Sequence, residues 1–243
     1  MNMLSEILFP RNIQCIFCGS PISRENYLST CKACYQKMEP ICEICVRCGR
    51  FGKGAGICIA CSDEKYYFDR VYSALAYNDF MHHSIYSYKY GHKSYMGKYF
   101  GEILKEFISE NELQYDFITA VPISAERMKT RGFNQSALIA EHIDADAYIE
   151  LFVRQKKTDF LSGFSRGRRM AELEDAFAID EEVLERMIAD FYQRDDASDK
   201  KIKLLIVDDI ITTGSTLNEL SKLAKKQILN IEIIALTLCN ARK

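Results

Sequence analysis

The residues with the clearest chemical meaning lie near the C-terminus, where an acid pair precedes a short hydroxyl-rich loop. Leu204–Val207 is an aliphatic run typical of a buried parallel strand, and Asp208 and Asp209 follow at its expected end. The loop before the next helical pattern contains Ile211, Thr212, Thr213, Gly214, Ser215 and Thr216. Amides and hydroxyls at a helix start bind phosphate, and carboxylates accept hydrogen bonds from ribose hydroxyls. The segment therefore predicts a site for a phosphorylated sugar.

This segment has two competing interpretations. ATPases also carry an apolar strand that ends in acids, but they need a G-x-x-x-x-G-K-[S/T] loop, which the chain does not contain. The Thr-Thr-Gly-Ser-Thr stretch could instead be only a helix cap, since Ser and Thr are good N-cap residues. The acid pair and the preceding strand favour the sugar-phosphate site. In this combination the segment resembles the signature of type I phosphoribosyltransferases, which bind 5-phosphoribosyl-1-pyrophosphate (PRPP).

The cysteines form a second pattern at the other end of the chain. Nine of the ten lie between residues 15 and 61, and eight of these form four C-x-x-C pairs. The pairs are Cys15/Cys18, Cys31/Cys34, Cys45/Cys48 and Cys58/Cys61. Two pairs run into glycine, and a C-x-x-C-G turn directs both thiolates at one metal while the glycine relieves the strain. The eight thiolates predict two structural Zn²⁺ sites of four cysteines each, paired most simply in chain order.

Disulfides are the alternative for these cysteines, but they form in oxidising compartments. The N-terminal segment shows no basic stretch followed by an apolar run, so we expect no secretory signal and a cytoplasmic protein. A redox role fits an isolated C-x-x-C better than four spaced pairs. Cys42 is a further thiol that could replace Cys45 or Cys48 as a ligand, and Cys239 is expected to be a buried apolar residue.

The remainder of the chain alternates between strand and helix patterns, which predicts an α/β fold with a doubly wound parallel sheet. We expect a double zinc-ribbon module over residues 1–66 and a phosphoribosyltransferase-like domain over residues 67–243. Strands are predicted at Val71–Tyr77, Asp116–Val121, Lys203–Val207 and Ile231–Leu238. Helices are predicted at Asp79–Lys89, Gly97–Ile108, Ala125–Ile143 with an interruption at Arg131–Asn134, Glu181–Tyr192 and Leu217–Leu229. No apolar stretch approaches the ~20 residues of a membrane helix, so no membrane insertion is expected. The net charge of −2 does not by itself indicate a nucleic-acid partner.

Nearly the whole chain resembles the ComF family of bacterial competence proteins, which combine a zinc-ribbon head with a phosphoribosyltransferase-like domain. The resemblance rests on the Cys pairs and on several short stretches that follow them. These are Tyr88–His92, Val121–Ser124, Arg127, Arg131–Ser136, the basic segment through Arg169, Ala176-Phe177 and the acid-pair segment. The family is linked to uptake of single-stranded DNA during natural transformation, and a related branch to the use of imported nutrients.

The resemblance implies that the chain binds PRPP with Mg²⁺. Val121, Pro122, Ile123 and Ser124 follow a predicted strand and would form the pyrophosphate loop, while Arg127 and Arg131 could reach the same phosphates. Asp208, Asp209, Arg131 and Lys89 are the candidate catalytic residues. For the arginines and Lys89 the competing interpretation is an ordinary solvated or ion-paired side chain.

A basic loop is predicted at residues 154–177. Its cations include Lys156, Lys157, Arg166, Arg168 and Arg169. The loop could close over the pocket and neutralise a leaving pyrophosphate, hold single-stranded DNA with the help of its phenylalanines, or be only a mobile surface segment. Leu161 and Glu172 stand where the family commonly has Gln and Asn, which weakens any inference about a particular acceptor.

Two functional hypotheses follow. In the first, the protein is a phosphoribosyltransferase, a pentosyl-transferring enzyme that acts on PRPP and an unidentified acceptor. In the second, it is a non-catalytic adaptor that keeps the fold as a ligand sensor or scaffold. The adaptor would bind single-stranded DNA and DNA-uptake proteins such as a helicase.

Overall fold

The computed structural model describes residues 13–41, 44–45, 47–50, 58–59, 61, 66–155, 176–193 and 200–241. Several residues of interest from the sequence lie outside this described part. They are Cys42 and most of the basic loop, including Lys156, Lys157, Leu161, Arg166, Arg168, Arg169 and Glu172.

The elements alternate along the chain. The strands are β1 (Ile13–Gln14), β2 (Pro21–Ile22), β3 (Arg70–Ala76), β4 (Phe117–Ala120), β5 (Phe152–Arg154), β6 (Phe177–Ile179), β7 (Ile202–Ile211) and β8 (Ile231–Asn240). The α-helices are α1 (Lys32–Tyr35), α2 (Asp79–Tyr90), α3 (Met96–Glu110), α4 (Ala125–Arg131), α5 (Gln135–Ile143), α6 (Glu181–Tyr192) and α7 (Ser215–Gln227).

The central sheet has four strands in the order β3-β8-β7-β4, and every neighbouring pair is parallel. Alternate residues of β7 face opposite sides. Leu204 and Ile206 pack with Leu217 and Leu220 of α7, whereas Leu205 and Val207 pack with the buried faces of α2, α3 and α5. Helices therefore cover both faces, which explains why the central strands are apolar throughout. The predicted doubly wound parallel sheet is confirmed.

Two local features differ from the sequence prediction. Strand β7 does not end at Val207 but continues through the acid pair to Ile211, because β8 also extends to Asn240 and pairs with it. The short strands β5 and β6 form an antiparallel pair that was not predicted. The expected interruption between α4 and α5 is confirmed, since Gly132 ends α4 with a φ of 81° and Asn134 caps α5.

The cysteine-containing N-terminal region contacts the sheet domain at several points. Pro40 forms an antiparallel bridge with Leu75 on edge strand β3. The Phe17 ring packs at a centroid distance of 5.2 Å from the Phe80 ring on α2. Among the helices that the structure describes, none combines the length and apolar character needed to cross a bilayer.

Candidate functional site

A cavity of about 300 Å³ opens at the carboxyl ends of the sheet strands. It gathers segments that are far apart in the chain, as expected for a ligand site in a parallel α/β fold. Nearly all of the predicted ligand residues line it: Lys89, Val121, Pro122, Ile123, Arg127, Arg131, Asp208, Asp209, Ile211, Thr212, Thr213, Gly214, Ser215 and Thr216. Ser124 does not line the cavity. Its side chain caps α4 by accepting a hydrogen bond from the Arg127 amide.

The two carboxylates of the acid pair have different environments. Asp209 is 3% exposed and forms an ion pair with the Lys89 ammonium group. Burial alone would raise the pKa of Asp209, but Lys89 holds it below its ordinary value. Burial, together with the neighbouring Asp209 charge, raises the pKa of Asp208 to about 7. The pair therefore keeps Asp209 ionised and allows Asp208 to take up a proton near neutral pH.

The first two residues of α5 hold this acid pair in place. The Gln135 side chain donates from Nε2 to Asp209 Oδ1 at 3.3 Å and accepts from Arg131 Nη1 at 2.7 Å. The Ser136 hydroxyl donates to Asp208 Oδ1 at 2.9 Å. Each carboxylate thus has its own support from α5, and the Gln135 amide links Asp209 to Arg131.

Arg131 is buried although it is the last residue of α4. It is 8% exposed, its Nη2 donates to the Tyr90 hydroxyl at 2.8 Å, and its guanidinium lies 4.8 Å from the Tyr90 ring centroid. Both Nη atoms therefore bind protein groups. Its role as a direct phosphate ligand stays a prediction, and its visible contacts position Gln135 and Tyr90.

The conformation of the hydroxyl-rich loop allows the chain to enter α7 directly after Gly214. Gly214 adopts a φ of 77° in the left-handed region, where a side chain would be strained. The hydroxyls of Thr213 and Ser215 lie 2.9 Å apart, and the Ser215 amide donates to Thr213 Oγ1. Because residues 211–217 line the cavity, the N-terminus of this helix faces it. Amides in the first turn have no acceptor within their helix, so this end favours an anion.

Two arginines add positive charge to the same cavity. Arg127 comes from α4, and Arg154 comes from β5, where it stacks 5.3 Å from the Phe177 ring centroid. Burial, with a smaller contribution from the nearby Arg127 charge, lowers the pKa of Arg154 to about 10. With Arg131, the cavity thus combines an acid pair, three arginines and a helix N-terminus. That combination suits a ligand with both hydroxyl and phosphate groups.

Sequence reasoning missed the supporting roles of Gln135, Ser136 and Arg154. Gln135 and Ser136 belong to the Arg-Gly-Phe-Asn-Gln-Ser stretch, in which the helix break and the N-cap were recognisable. The break was a usable signal, because it places residues 135 and 136 in the first turn of α5. No local pattern indicated which carboxylate each side chain would contact. Arg154 was counted only as part of the basic segment.

The eight C-x-x-C cysteines form two clusters in chain order. The first contains Cys15, Cys18, Cys31 and Cys34, the second contains Cys45, Cys48, Cys58 and Cys61, and within each the sulfur atoms lie within 4.8 Å of one another. Neighbouring sulfurs are 3.5 to 3.7 Å apart. A disulfide requires ~2.05 Å, whereas four thiolates ~2.3 Å from a tetrahedral Zn²⁺ are separated by ~3.8 Å. The residues therefore fit zinc, and the sequential pairing is confirmed.

The local geometry of both clusters matches the predicted metal-binding turns. Gly19 and Gly49 each have a φ of 75°, and their amides donate to Cys15 O and Cys45 O. The Cys58 amide donates to Cys45 Sγ at 3.3 Å. Cys45 is thus a member of the second cluster.

Comparison with known proteins identifies competence proteins as relatives. The chain is 22% identical over 223 residues to competence protein ComFC of Bacillus subtilis, covering 84% of this chain and 85% of the relative. It is 34% identical over 113 residues to competence protein F of Haemophilus influenzae, covering 45% and 44%. It is 27% identical over 150 residues to competence protein ComFC of Streptococcus pneumoniae, covering 62% and 59%. The latter two matches span less than two thirds of each relative.

No protein-family model matches the chain. Among solved structures, TT1426 from Thermus thermophilus gives a TM-score of 0.26 at 12% identity, covering 58% of this chain and 83% of that one. The assignment of homology rests on the sequence relatives and not on the solved structure. The chain is a homologue of the ComFC and ComF competence proteins, with similarity over much of its length.

Proposed function

We propose that the cavity binds PRPP or a related ribose 5-phosphate together with Mg²⁺. Asp208 and Asp209 would accept hydrogen bonds from the ribose hydroxyls, and residues 212–216 would bind the 5′-phosphate. The loop at residues 121–124 and Arg127 would face the pyrophosphate. One observation carries this proposal: the acid pair, the N-terminus of α7 and three arginines line a single cavity.

The distribution of charge supports a ligand of this class. A ribose phosphate presents hydroxyls between anionic groups, and the cavity presents carboxylates together with cations and helix amides. The ion pair with Lys89 keeps Asp209 ionised, so it can act as a hydrogen-bond acceptor. Mg²⁺ would neutralise the pyrophosphate when bound, with the amides of Ile123 and Ser124 and the guanidinium of Arg127 holding the same group.

As an enzyme, the protein would transfer the phosphoribosyl group to an acceptor and release pyrophosphate. Positive charge develops on the ribose anomeric carbon in such a reaction, and the buried Asp209 carboxylate would stabilise it in a low-dielectric site. The curated relatives are competence proteins. We propose that this chain acts in natural transformation as a cytoplasmic protein with two structural zinc sites.

A thermal-shift titration tests the ligand. PRPP with Mg²⁺ at ~100 times its Kd should stabilise the zinc-loaded protein by ~2.7 kcal/mol. The Asp208→Asn/Asp209→Asn variant should lose this shift relative to its own unliganded midpoint, whereas the exposed Asp146→Asn control should retain it. An unchanged midpoint at millimolar PRPP would rule out the ribose-phosphate site. If the shift is found, Mg²⁺-dependent pyrophosphate release in the presence of candidate bases distinguishes an enzyme from a sensor.

The second candidate function, an adaptor for single-stranded nucleic acid, is favoured by the surface of α2 and the start of α3. Residues 80–101 contain no Asp or Glu. The exposed rings of Tyr86 and Tyr90 lie 5.0 Å apart, and Arg131 stacks on Tyr90. Such rings are stacking platforms for bases, worth ~1–3 kcal/mol per base.

Nucleic-acid binding can be tested on this surface directly. Tyr86→Ala should weaken binding of a single-stranded oligonucleotide ~5-fold or more. Tyr192→Ala is a matched control, because that ring is similarly exposed but lies on the acidic helix α6. Equal affinities for the two variants would exclude the α2 surface as the binding platform. The basic loop would then be tested by replacing Lys156, Lys157, Arg166 and Arg168 with Glu and measuring the salt dependence.

A further inference from the structure

A buried hydrogen bond connects the second cysteine cluster to the central sheet. Asn240 is the last residue of β8 and is 1% exposed. Its side-chain Nδ2 donates to the carbonyl oxygen of Gly49 at 2.5 Å. Gly49 follows Cys48 directly and completes the metal-binding turn by donating to Cys45 O. The position of the Gly49 carbonyl is therefore set by the same turn that orients two of the four thiolates.

On its other side, Asn240 adjoins the loop of the candidate pocket. It pairs in register with Ile211, the last residue of β7, and the next amide, that of Ala241, donates to Ile211 O at 2.9 Å. Thr212 follows Ile211 and begins the hydroxyl-rich loop. A single buried side chain thus lies between the metal-binding turn and the strand end that carries the predicted phosphate loop.

Packing and a second hydrogen bond join the same two regions. Cys45, Cys48 and Cys61 belong to one buried core that also contains Ile211 and Leu217. The amide of Tyr67, in the segment after the second cluster, donates to Asn218 Oδ1 at 2.7 Å. Asn218 lies in the first turn of α7, and its amide donates to Gly214 O. The second cluster therefore shares one buried core with the residues that flank the loop at residues 212–216.

The first cluster is connected differently. Phe17, between Cys15 and Cys18, packs on the Phe80 ring of α2 and the Phe100 ring of α3 at centroid distances of 5.2 and 6.3 Å. Within the described part of the chain, no cysteine of either cluster lines the candidate pocket, but the buried core that contains Ile211 and Leu217 includes cysteines of the second cluster and none of the first. The two clusters have the same ligands and the same turns, so they form an internal comparison.

We infer that Asn240 is a positioning residue that makes the pocket loop depend on metal in the second cluster. Metal fixes the turn at Gly49, and the Gly49 carbonyl accepts from the buried Asn240 amide. Without metal the turn is free to move, which withdraws this acceptor from the Asn240 side chain and loosens the end of β7. The identity of the pocket ligand rests on the proposed function, whereas the coupling between cluster and loop does not.

Hydrogen exchange of the unliganded full-length protein tests the coupling. The variants are Cys58→Ser in the second cluster, Cys31→Ser in the first, and Asn240→Asp, which replaces the donor with an acceptor at constant size. We expect amides at 209–217 to exchange ~10-fold faster in Cys58→Ser and Asn240→Asp, with two zinc ions retained in Asn240→Asp. Normal protection in Asn240→Asp, or equal loss of protection in Cys31→Ser, would overturn the inference.

A measurement of zinc affinity in the unmodified protein tests the same coupling. Coupling free energies are reciprocal, so PRPP with Mg²⁺ should raise the zinc affinity of one of the two clusters in an equilibrium chelator competition and leave the other unchanged. We expect a ~10-fold rise in the zinc affinity of one site, which is assigned to the second cluster by its absence in Cys58→Ser. PRPP binding with both zinc affinities unchanged contradicts the coupling. Absence of PRPP binding contradicts the proposed function, and the exchange experiment then decides the coupling by itself.

Discussion

The cysteine clusters and the acid-pair pocket are built in opposite ways. Each cluster takes its four ligands from a short stretch, residues 15–34 or 45–61. The pocket takes Lys89 from α2, Gln135 from α5 and Asp209 from β7, and its members are distant in sequence. A cluster should therefore fail completely when one ligand is lost. The stability of the pocket should fall in steps when its residues are replaced one at a time, because each supporting contact makes a separate contribution to the free energy of unfolding.

The largest expected effect is loss of a zinc ligand. Structural zinc sites contribute ~10 kcal/mol or more of binding free energy to folding. Cys48→Ser should remove one zinc ion and lower the midpoint of the main unfolding transition, because Cys48 is part of the core that contains Leu204 and Ile206. Calorimetry with zinc analysis measures both quantities.

Cys18→Ser is the matched control, since Cys18 is exposed and belongs to the first cluster. It should also remove one zinc ion, but with a smaller change in the main transition. A larger effect for Cys18→Ser than for Cys48→Ser would reverse the assigned roles of the two clusters. It would also contradict our view of the second cluster as part of the main core.

The next largest effect is expected at Asp209. Asp209→Asn leaves the Lys89 ammonium, with a side chain 17% exposed, without its carboxylate partner. Breaking a largely buried pair in this way costs ~3 kcal/mol. Chemical denaturation at pH 8 measures the loss, and the Lys89→Met/Asp209→Asn double variant should recover part of it. Failure of that second substitution to recover stability would mean that the pair contributes little.

Asp208 should respond in the opposite direction at the same pH. Its pKa is about 7 in the folded protein against an ordinary value of 3.8, so between those values the folded state binds more protons than the unfolded state. The free energy of unfolding therefore falls as pH rises through that window. Asp208→Asn should abolish this part of the pH dependence and leave stability at pH 8 unchanged or increased. An unaltered pH profile in Asp208→Asn would assign the raised pKa to another group.

A smaller effect is expected for substitutions of the two residues that hydrogen-bond to the acid pair. Gln135→Leu leaves Asp209 Oδ1 and Arg131 Nη1 without their present partner, at a cost of ~2 kcal/mol. Ser136→Ala removes one donor to Asp208 and should cost ~1 kcal/mol. Denaturant unfolding ranks the two variants, and PRPP affinity should follow the same order. The reverse order would show that Asp208, rather than Asp209, depends more on α5.

The smallest effect is expected for Tyr90→Phe. This change removes the hydroxyl that accepts from Arg131 and keeps the ring against which the guanidinium stacks. We expect a loss of under ~1 kcal/mol, whereas Tyr90→Ala should cost more because the stacking is also lost. Equal losses for the two variants would mean that the ring contributes nothing beyond its hydroxyl.

Much of the fold could be predicted from local sequence patterns. The parallel sheet followed from aliphatic runs such as Leu204–Val207, and helix α6 in the acidic segment begins and ends where it was predicted. Strand β7 was predicted too short because the acid pair resembled a strand end. Its true length is set by pairing with β8, and that pairing is visible only once both strands are side by side. Domain limits at residues 66 and 67 stay a prediction, as do the functional roles of the pocket residues.

The sequence by itself determined the grouping of the eight paired cysteines and much of the lining of the pocket. A C-x-x-C-G turn is a local conformation, and parallel strands bring their carboxyl ends to one edge of the sheet whatever the details of packing. Only the tertiary structure decided which groups face one another: Lys89 with Asp209, Gln135 between Asp209 and Arg131, and Asn240 against Gly49. The residues of the last pair are 191 positions apart. No periodicity or spacing rule links residues at that separation, because their contact arises from the packing of the complete fold.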